Sequence, residues 1–440
     1  MRVIFIIWLF LCPLFNLSAQ DKPNIILVLA DDMGYSDLGC YGNPLIRTPF
    51  LDQMARRGLM ATSFMTTSPT CSPSRASLLT GRYCSRSGIT QVIGPGNKIT
   101  MPASEVTIAE VLKPSGYLTA AIGKWHVGDY GSGLPNQQGF DLFYGMMYSH
   151  DYRKPYVNTD TVIKIFRNTQ PEIYQPHDSI LNDIYTKESI RFIQQSVKSK
   201  KPFFLYLAHN MPHLPVAYGA MKHRAHPSVA GALGDVIEEM DAGLAKIWKA
   251  VEATGQADNT IFIFTSDNGP WLNAPSRMFE DGVTKPYHIG AAGIFRGWKA
   301  LSYEGGHRVP FIVYWKGNTL QDKVLMEPIS NLDILPTLAE WSGSALPANE
   351  LDGQSVASLL TREDAGQIHR PIYYYNTVLE GVRDGDWKLR VTNQQGGGEL
   401  YELFNLAWDP SERVNLFNDQ HFRASQKHLM QLMTQFPAGK

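Results

Sequence analysis

Four short apolar runs in the chain are each followed at once by a cluster of polar residues. Residues 24–30 end in Asp31-Asp32, and 117–122 run into Gly123-Lys124-Trp125-His126. Residues 203–207 lead to His209 and, past Pro212, to His213, while 260–265 end in Ser266-Asp267-Asn268-Gly269. Within each run the hydrophobicity is continuous rather than alternating, as in a strand covered on both faces. Helix-like segments lie between them at 107–113, 182–199 and 230–253, the last with apolar positions at helical spacing. This alternation predicts an α/β fold, a mostly parallel sheet flanked by helices. Ligands bind such sheets beyond the carboxyl ends of the strands, so the four polar clusters are expected to share one edge.

The texture changes after about Ser344. Residues 347–353 are turn-rich, and 371–375 with 381–391 read as strands around an Asp384-Gly385 hairpin turn. Gly396-Gly397-Gly398 marks a further turn before 399–403, and a helix is expected over 420–435. The expected organisation is a catalytic domain at 20–345 and a smaller α+β domain with an antiparallel sheet at 346–440. The first residues differ again: Arg2, an apolar run over 3–12, Pro13, then Leu17-Ser18-Ala19. That is the pattern of a secretory signal over 1–19, cut after Ala19, and the run falls short of the roughly 18 apolar residues that a span needs. The expected location is secreted or periplasmic, with no membrane span.

Composition narrows the function classes. Hydrophobic residues make up 44% and charged residues 18%, a globular profile. Forty Lys+Arg against 41 Asp+Glu leave a net charge of −1, which removes the basic excess of a sequence-independent nucleic-acid binder. Four cysteines in 440 residues exclude a disulfide scaffold. After loss of the leader, Cys40, Cys71 and Cys84 remain, an odd number, so at least one stays outside any internal disulfide.

Asp31-Asp32 and Asp267-Asn268 offer oxygen ligands only, a donor set for Ca²⁺ or Mg²⁺ rather than zinc. Either pair alone reads equally as a helix cap; two pairs on one edge favour a metal. In Cys71-Ser72-Pro73-Ser74-Arg75, Ser72 looks like an N-cap before proline, with Gly81 ending the helix. Cys71 is then at a helix N-terminus, where the dipole draws anions and lowers a thiol pKa. Arg75 follows one turn later. The Cys-to-Arg spacing is too short for a phosphatase loop. Cys40, Cys84 and Trp125 read as packing residues, and His150 and His209 as structural or rim residues.

Cys71-x-Pro73-x-Arg75, continuing Ala-Ser-Leu-Leu-Thr-Gly-Arg, resembles the signature of the sulfatase family in the alkaline phosphatase-like superfamily. Gly123-Lys124-Trp125-His126-x-Gly128 resembles its second signature, and the likeness continues in order through Asp31-Asp32, His213, 265–269, 296–299 and 303–310. The resemblance implies that Cys71 is oxidised to formylglycine, the nucleophile as its hydrate. It implies one Ca²⁺ held by Asp31, Asp32, Asp267, Asn268 and residue 71. It further implies that Arg75 orients residue 71 and that Lys124, His126, His213 and Lys299 line the sulfate. Ser149, in Tyr148-Ser149-His150-Asp151, resembles a substrate-contacting serine of the arylsulfatase A-like and N-acetylgalactosamine-6-sulfatase-like branch. His213 or Lys299 would protonate the leaving oxygen, and His126 would act as base.

The implied partners are a sulfated sugar or glycan and a formylglycine-generating or anaerobic sulfatase-maturating enzyme. An O-sulfated hexose or hexosamine at a chain end is expected, with a galactose-type ring favoured by the Ser149 resemblance. The stretch 149–153 and Trp271, Arg277, Tyr287 and His288 are the expected sugar rim. Two other readings compete: a phosphonate or phosphodiester hydrolase of the same superfamily, and an inactive glycan-binding envelope protein.

Overall fold

The computed structural model describes residues 22–216, 226–394 and 396–437, so the expected leader at 1–19 lies outside the described residues. In chain order the first strands are β1 (Asn24–Ala30), β2 (Leu59–Ala61), β3 (Phe64–Met65), β4 (Leu118–Lys124), β5 (Leu142–Met146) and β6 (Lys164–Arg167). They are followed by β7 (Gln170–Tyr174), β8 (Phe203–Ala208), β9 (Thr260–Ser266), β10 (Phe311–Tyr314), β11 (Lys323–Leu325) and β12 (Ile329–Ser330). Ten of them form one sheet in the order β11-β2-β10-β9-β1-β8-β4-β5-β6-β7. The centre, from β9 to β5, is parallel; β10 and β6 run antiparallel on its two sides, and β7 pairs antiparallel with β6.

The continuous apolar runs are the four central strands, β1, β4, β8 and β9. Successive side chains alternate between faces, and both faces are covered. Ile25, Leu27, Leu29, Phe204, Tyr206 and Ile263 share one core with Leu78 and Leu79 of the helix Cys71–Thr80. Ile26, Val28, Leu205, Leu207, Phe262 and Phe264 share the other with Leu244, Ile247 and Trp248 of the helix Gly231–Ala253. The expected segments at 107–113 and 182–199 are the helices Ile108–Leu112 and Leu181–Lys198. Thr107 caps the former through a reciprocal bond with Glu110.

The second sheet is antiparallel, with β13 (Ile372–Asn376), β14 (Val378–Asp384), β15 (Trp387–Asn393) and β16 (Glu399–Asn405) in sequential order. Its hairpin turn is one residue later than expected: Asp384 still pairs with Trp387, leaving Gly385-Asp386 as the turn. Gly385 has φ +56°, which glycine adopts freely at the first central position. The last helix proper is Arg423–Thr434, preceded by a tight turn over Gln420–Phe422, and it packs Leu429 on Val382, Leu389 and Leu403. Before β13, the short helix Ala357–Thr361 contributes Leu359 and Leu360 to the core of the large sheet. No helix among the described residues is long and apolar enough to cross a membrane.

A buried ionic knot joins the two sheets. Lys388 of β15 lies 2.9 Å from Glu304 and 2.8 Å from Glu412, and all three side chains are buried. Arg308 reaches Glu304 at 2.7 Å, and the Tyr374 hydroxyl donates to it at 2.6 Å. Burial disfavours the Glu304 charge, but Lys388, Arg308 and Arg383 outweigh it and hold that carboxyl well below its ordinary range. Removing the lysine leaves the buried Glu412 carboxylate without a cation and Glu304 with Arg308 alone at close range, a loss of about 3–5 kcal/mol. Lys388→Ala is therefore expected to lower the unfolding free energy by about that amount in urea titrations. A loss below about 1 kcal/mol would show that the knot is a surface-like pair.

Candidate active site

Strand register brings the polar clusters together. Leu29 pairs with Ala208, Ala30 with Ser266, Gly123 with Ala208 and Lys124 with Met146. The residues that follow these pairs therefore leave the sheet at one edge. Gly123 permits the closeness: its φ is +105°, and a Cβ there would stand 1.9 Å from the Ala208 carbonyl oxygen.

Cys71 is the first residue of its helix, with Thr70 as the extended N-cap, so the cap lies two residues earlier than Ser72. Pro73 is still tolerated, because the first turn leaves its N–H groups without intrahelical partners. The Ser72 hydroxyl is used elsewhere, accepting from Ile93 N at 3.0 Å. The Cys71 Sγ sits 3.4 Å from Asp31 Oδ1 and 3.8 Å from Asp32 Oδ1, and the side chain is buried. Burial and the Asp267 charge push its thiol well above the ordinary value, with Lys124 and Lys299 opposing. The expectation of a lowered thiol pKa fails because dehydration beside carboxylates outweighs the helix terminus.

Arg75 is fully buried. Its Nε donates to Asp267 Oδ2 at 2.9 Å, Nη1 donates to the Lys124 carbonyl at 2.8 Å, and Nη2 lies 2.8 Å from Asp267 Oδ2. Lys124 Nζ donates to Asp31 Oδ2 at 2.6 Å and Lys299 Nζ to Asp32 Oδ2 at 2.7 Å. Burial opposes the charge on both lysines, yet Asp31 and Asp32 raise their pKa values. Three carboxylates thus face three cations.

The two histidines have defined tautomers, because each bonds a carbonyl that can only accept. His126 Nε2–H donates to the Ile93 carbonyl at 2.7 Å, leaving Nδ1 as a buried lone pair without a partner. His213 Nδ1–H donates to the Leu214 carbonyl, with Ser149 Oγ 3.4 Å away, and its Nε2 faces Asp32 Oδ2 at 3.5 Å. Burial first, then Lys124 and Arg75 for His126 and Lys299 for His213, drives both pKa values well below the ordinary range. Both rings are neutral.

The donor set fits a hard cation. Ligand atoms of Asp31, Asp32, Cys71 and His213 lie within 4.8 Å of one another. Asn268 Nδ2 donates to Asp32 Oδ1 at 2.7 Å, while its Oδ1 is buried with no hydrogen bond, an oxygen left for an ion. Asp267 Oδ1 accepts from Asp32 N at 3.1 Å, and its Oδ2 is shared with Arg75. His213 joins this cluster although its sequence context pointed to the substrate.

The structure also sorts the remaining candidates. His209 accepts from Met211 N at 3.1 Å and bonds Asn182 at 3.2 Å, shaping the turn that carries His213. His150 donates to the Pro215 carbonyl at 2.9 Å, and Trp125 is buried in the core. Cys40, Cys71 and Cys84 are all free thiols. Trp271 covers Lys299, whose Nζ lies 4.6 Å from its ring centroid, and it flanks His213 at 5.6 Å. Tyr287 stands 74% exposed, Arg277 donates to the Tyr156 carbonyl and His288 Nδ1 accepts from Lys285 N at 3.1 Å. Tyr152, expected on the sugar rim, flanks His126 at 6.4 Å. Sequence reasoning missed the Ile93 carbonyl and the Tyr148 ring, which flanks His126 at 6.3 Å. Ile93 lies in a Gly- and Pro-rich loop with no chemical signal; Tyr148 precedes Ser149 and could have been read from that position.

Two family models match the chain: Sulfatase over residues 23–344, and N-sulphoglucosamine sulphohydrolase, C-terminal, over 290–438. Human arylsulfatase A is 38% identical over 91% of this chain and 84% of its own length. Rat N-acetylgalactosamine-6-sulfatase is 32% identical over 95% of this chain and 86% of its own. Among solved structures, Ps i-CgsB in complex with k-i-k-neocarrahexaose superposes with a TM-score of 0.80 at 28% identity, covering 94% of this chain and 93% of that one.

The backbone that aims Lys124 is testable. Gly123→Ala introduces a Cβ against the Ala208 carbonyl at an unfavourable positive φ. It is expected to cost about 2 kcal/mol or more in stability and to reduce turnover by moving Lys124. Urea denaturation with steady-state kinetics checks this, and wild-type values on both counts would refute the close approach.

Proposed function

This chain belongs to the sulfatase family of sulfuric ester hydrolases, and from that premise we propose that it removes O-sulfate from carbohydrate, with residue 71 converted to formylglycine beside one Ca²⁺. The observation that carries this reading is Cys71 Sγ lying 3.4 Å from Asp31, within the cluster of Asp32, Asp267, Asn268, Lys124 and Lys299. Asp31, Asp32, Asp267, Asn268 and residue 71 would hold the ion, and His213 Nε2 lies within reach of the same point. The bound cation supplies positive charge that draws electrons from a sulfate oxygen, and the hydrated formylglycine supplies the attacking hydroxyl.

The chain's own residues do the rest. Lys124 and Lys299 place two ammonium groups where negative charge grows on sulfate oxygens. A divalent ion would tip the balance of three carboxylates and three cations toward positive, which suits an anionic ester. Lys299 remains a charged donor for the leaving oxygen. His213 is neutral with Nε2 bare, so it must first gain a proton before it can donate. His126 offers its unpartnered Nδ1 as a base. Arg75 holds Asp267 and the Lys124 backbone in register, and so positions both without touching sulfate.

Relatives support a sugar substrate. One is named for N-acetylgalactosamine 6-sulfate and a solved neighbour holds a neocarrahexaose. The reading is an O-sulfated hexose or hexosamine at a chain end, galactose-type in the first instance, cleaved by a secreted or periplasmic enzyme after action of a formylglycine-generating or anaerobic sulfatase-maturating enzyme. The test is hydrolysis of defined sugars sulfated singly at each position, beside matched phosphate esters, with intact mass recorded at residue 71. Sugar sulfates are expected to turn over, with formylglycine at 71 in the active fraction, and Cys71→Ser to be inert yet folded. Faster cleavage of the phosphates, or full activity with only unmodified Cys71, would refute it.

Metal dependence is a separate expectation. Exhaustive chelation, verified by elemental analysis, should abolish turnover, and added Ca²⁺ should restore it. Asp267→Ala should lose bound metal and activity together. An unchanged rate in metal-free protein would exclude the ion.

A further inference from the structure

A cavity of about 350 Å³ opens beside Ser149. Pro95, Leu134, Met146, Met147, Val162, Ile163 and Phe166 make much of its wall apolar, and Tyr148 and Tyr152 add two rings 5.8 Å apart and inclined at 57°. Its polar groups are Ser149, Asp129, Thr161, Thr169 and Lys164. None of Cys71, Lys124, His213 and Lys299 lines it, so it does not receive the reacting sulfate. Ser149 is the shared member: it faces this cavity, and its Oγ lies 3.4 Å from His213 Nδ1. The cavity therefore adjoins the reacting site through Ser149.

The wall specifies the ligand. A volume at the lower end for small-molecule sites, largely apolar with a few polar groups, suits one ring with hydroxyls. A purely hydrocarbon guest would leave the Asp129 carboxylate and the two threonines of the wall facing it without hydrogen bonds in return. A pyranose meets both demands, laying C–H faces on the tyrosines and hydroxyls toward Asp129 and the threonines. Charge then narrows the class. Asp129 accepts from the Tyr148 hydroxyl, a neutral partner that leaves its charge in place. Lys164, the cation of the wall, directs its ammonium to Tyr174, 5.3 Å from that ring centroid. A ring bearing a carboxylate would sit against Asp129 with its charge unanswered.

Building on the sugar-sulfate reading above, we propose that this cavity is a subsite for a neutral pyranose next to the sulfated one, and that Asp129 makes the enzyme reject a hexuronate at that position. The juxtaposition of Ser149, the two tyrosines and a carboxylate bound to the Tyr148 hydroxyl rather than to a cation carries the inference.

The test uses the mature holoenzyme and three substrates with one sulfate on the same terminal ring: a methyl glycoside, a disaccharide with a neutral hexose neighbour, and one with a hexuronate neighbour. The expected kcat/KM for the neutral disaccharide exceeds that for the hexuronate by at least tenfold. Asp129→Asn is expected to shrink that ratio at least fivefold, and Val162→Trp, which fills the cavity mouth, to lower the neutral-disaccharide rate relative to the methyl glycoside at least tenfold. Val162→Ala should restore the latter ratio, and melting temperatures check that each variant is folded. Sugar-sulfate cleavage with both ratios unchanged in folded Asp129→Asn and Val162→Trp would overturn the subsite alone. Cleavage of a simple aryl sulfate but of none of the three sugars would overturn the sugar reading and the subsite with it.

Discussion

The Arg75 guanidinium is the tie on which the site depends. It is fully buried, and from one helix it binds Asp267 after β9, the Lys124 carbonyl at the end of β4 and, at 3.6 Å, Asp31 after β1. An unpaired guanidinium at that depth would cost several kcal/mol, and so would the carboxylates without it. The fork of donors on arginine answers both demands at once, which a lysine ammonium could not. The same helix delivers Cys71 one turn earlier. Cys71, the acidic edge and Lys124 are thus set by a single side chain.

That tie also explains which parts of the site were legible beforehand. Continuous apolar runs revealed β1, β4, β8 and β9, because burial on both faces leaves no polar positions, and the polar residues after them marked the edge. The flanking β6 and β7 were not legible. KIFR and QPEIY are short and half exposed, and nothing in their pattern separates an edge strand from a loop. The thiol of Cys71 was misread for a different reason. A helix terminus is visible in sequence, whereas its competition with Asp31, Asp32 and Asp267 depends on residues as much as 196 positions away, which only register brings close.

Trp271 shows the same limit. Its loop suggested a platform for sugar, and the structure adds that its ring lies over Lys299 and beside His213. An ammonium over an indole gains about 0.5–2 kcal/mol, more as water is excluded. The ring therefore steadies the Lys299 charge, while Tyr148 and Tyr152 form a second aromatic wall beside Ser149. Two aromatic groups that composition alone could not rank thus have separate tasks.

The antiparallel sheet bears on the site through the loop that carries Lys299. The Lys299 amide donates to Pro270 O at 3.0 Å and the Ala300 amide to Pro69 O at 2.9 Å, and Ala300 adopts φ +69°. A non-glycine residue in that region persists only where its surroundings enforce it. The enforcement comes from the antiparallel sheet: Asn376 Nδ2 donates to Ala300 O at 3.1 Å, and Arg390 Nε to Ser302 Oγ at 2.8 Å. Two residues further on, Glu304 is locked by Lys388 and Tyr374. The C-terminal sheet is therefore the anvil against which the Lys299 loop is bent, and its ionic knot reaches the chemistry through five residues of backbone.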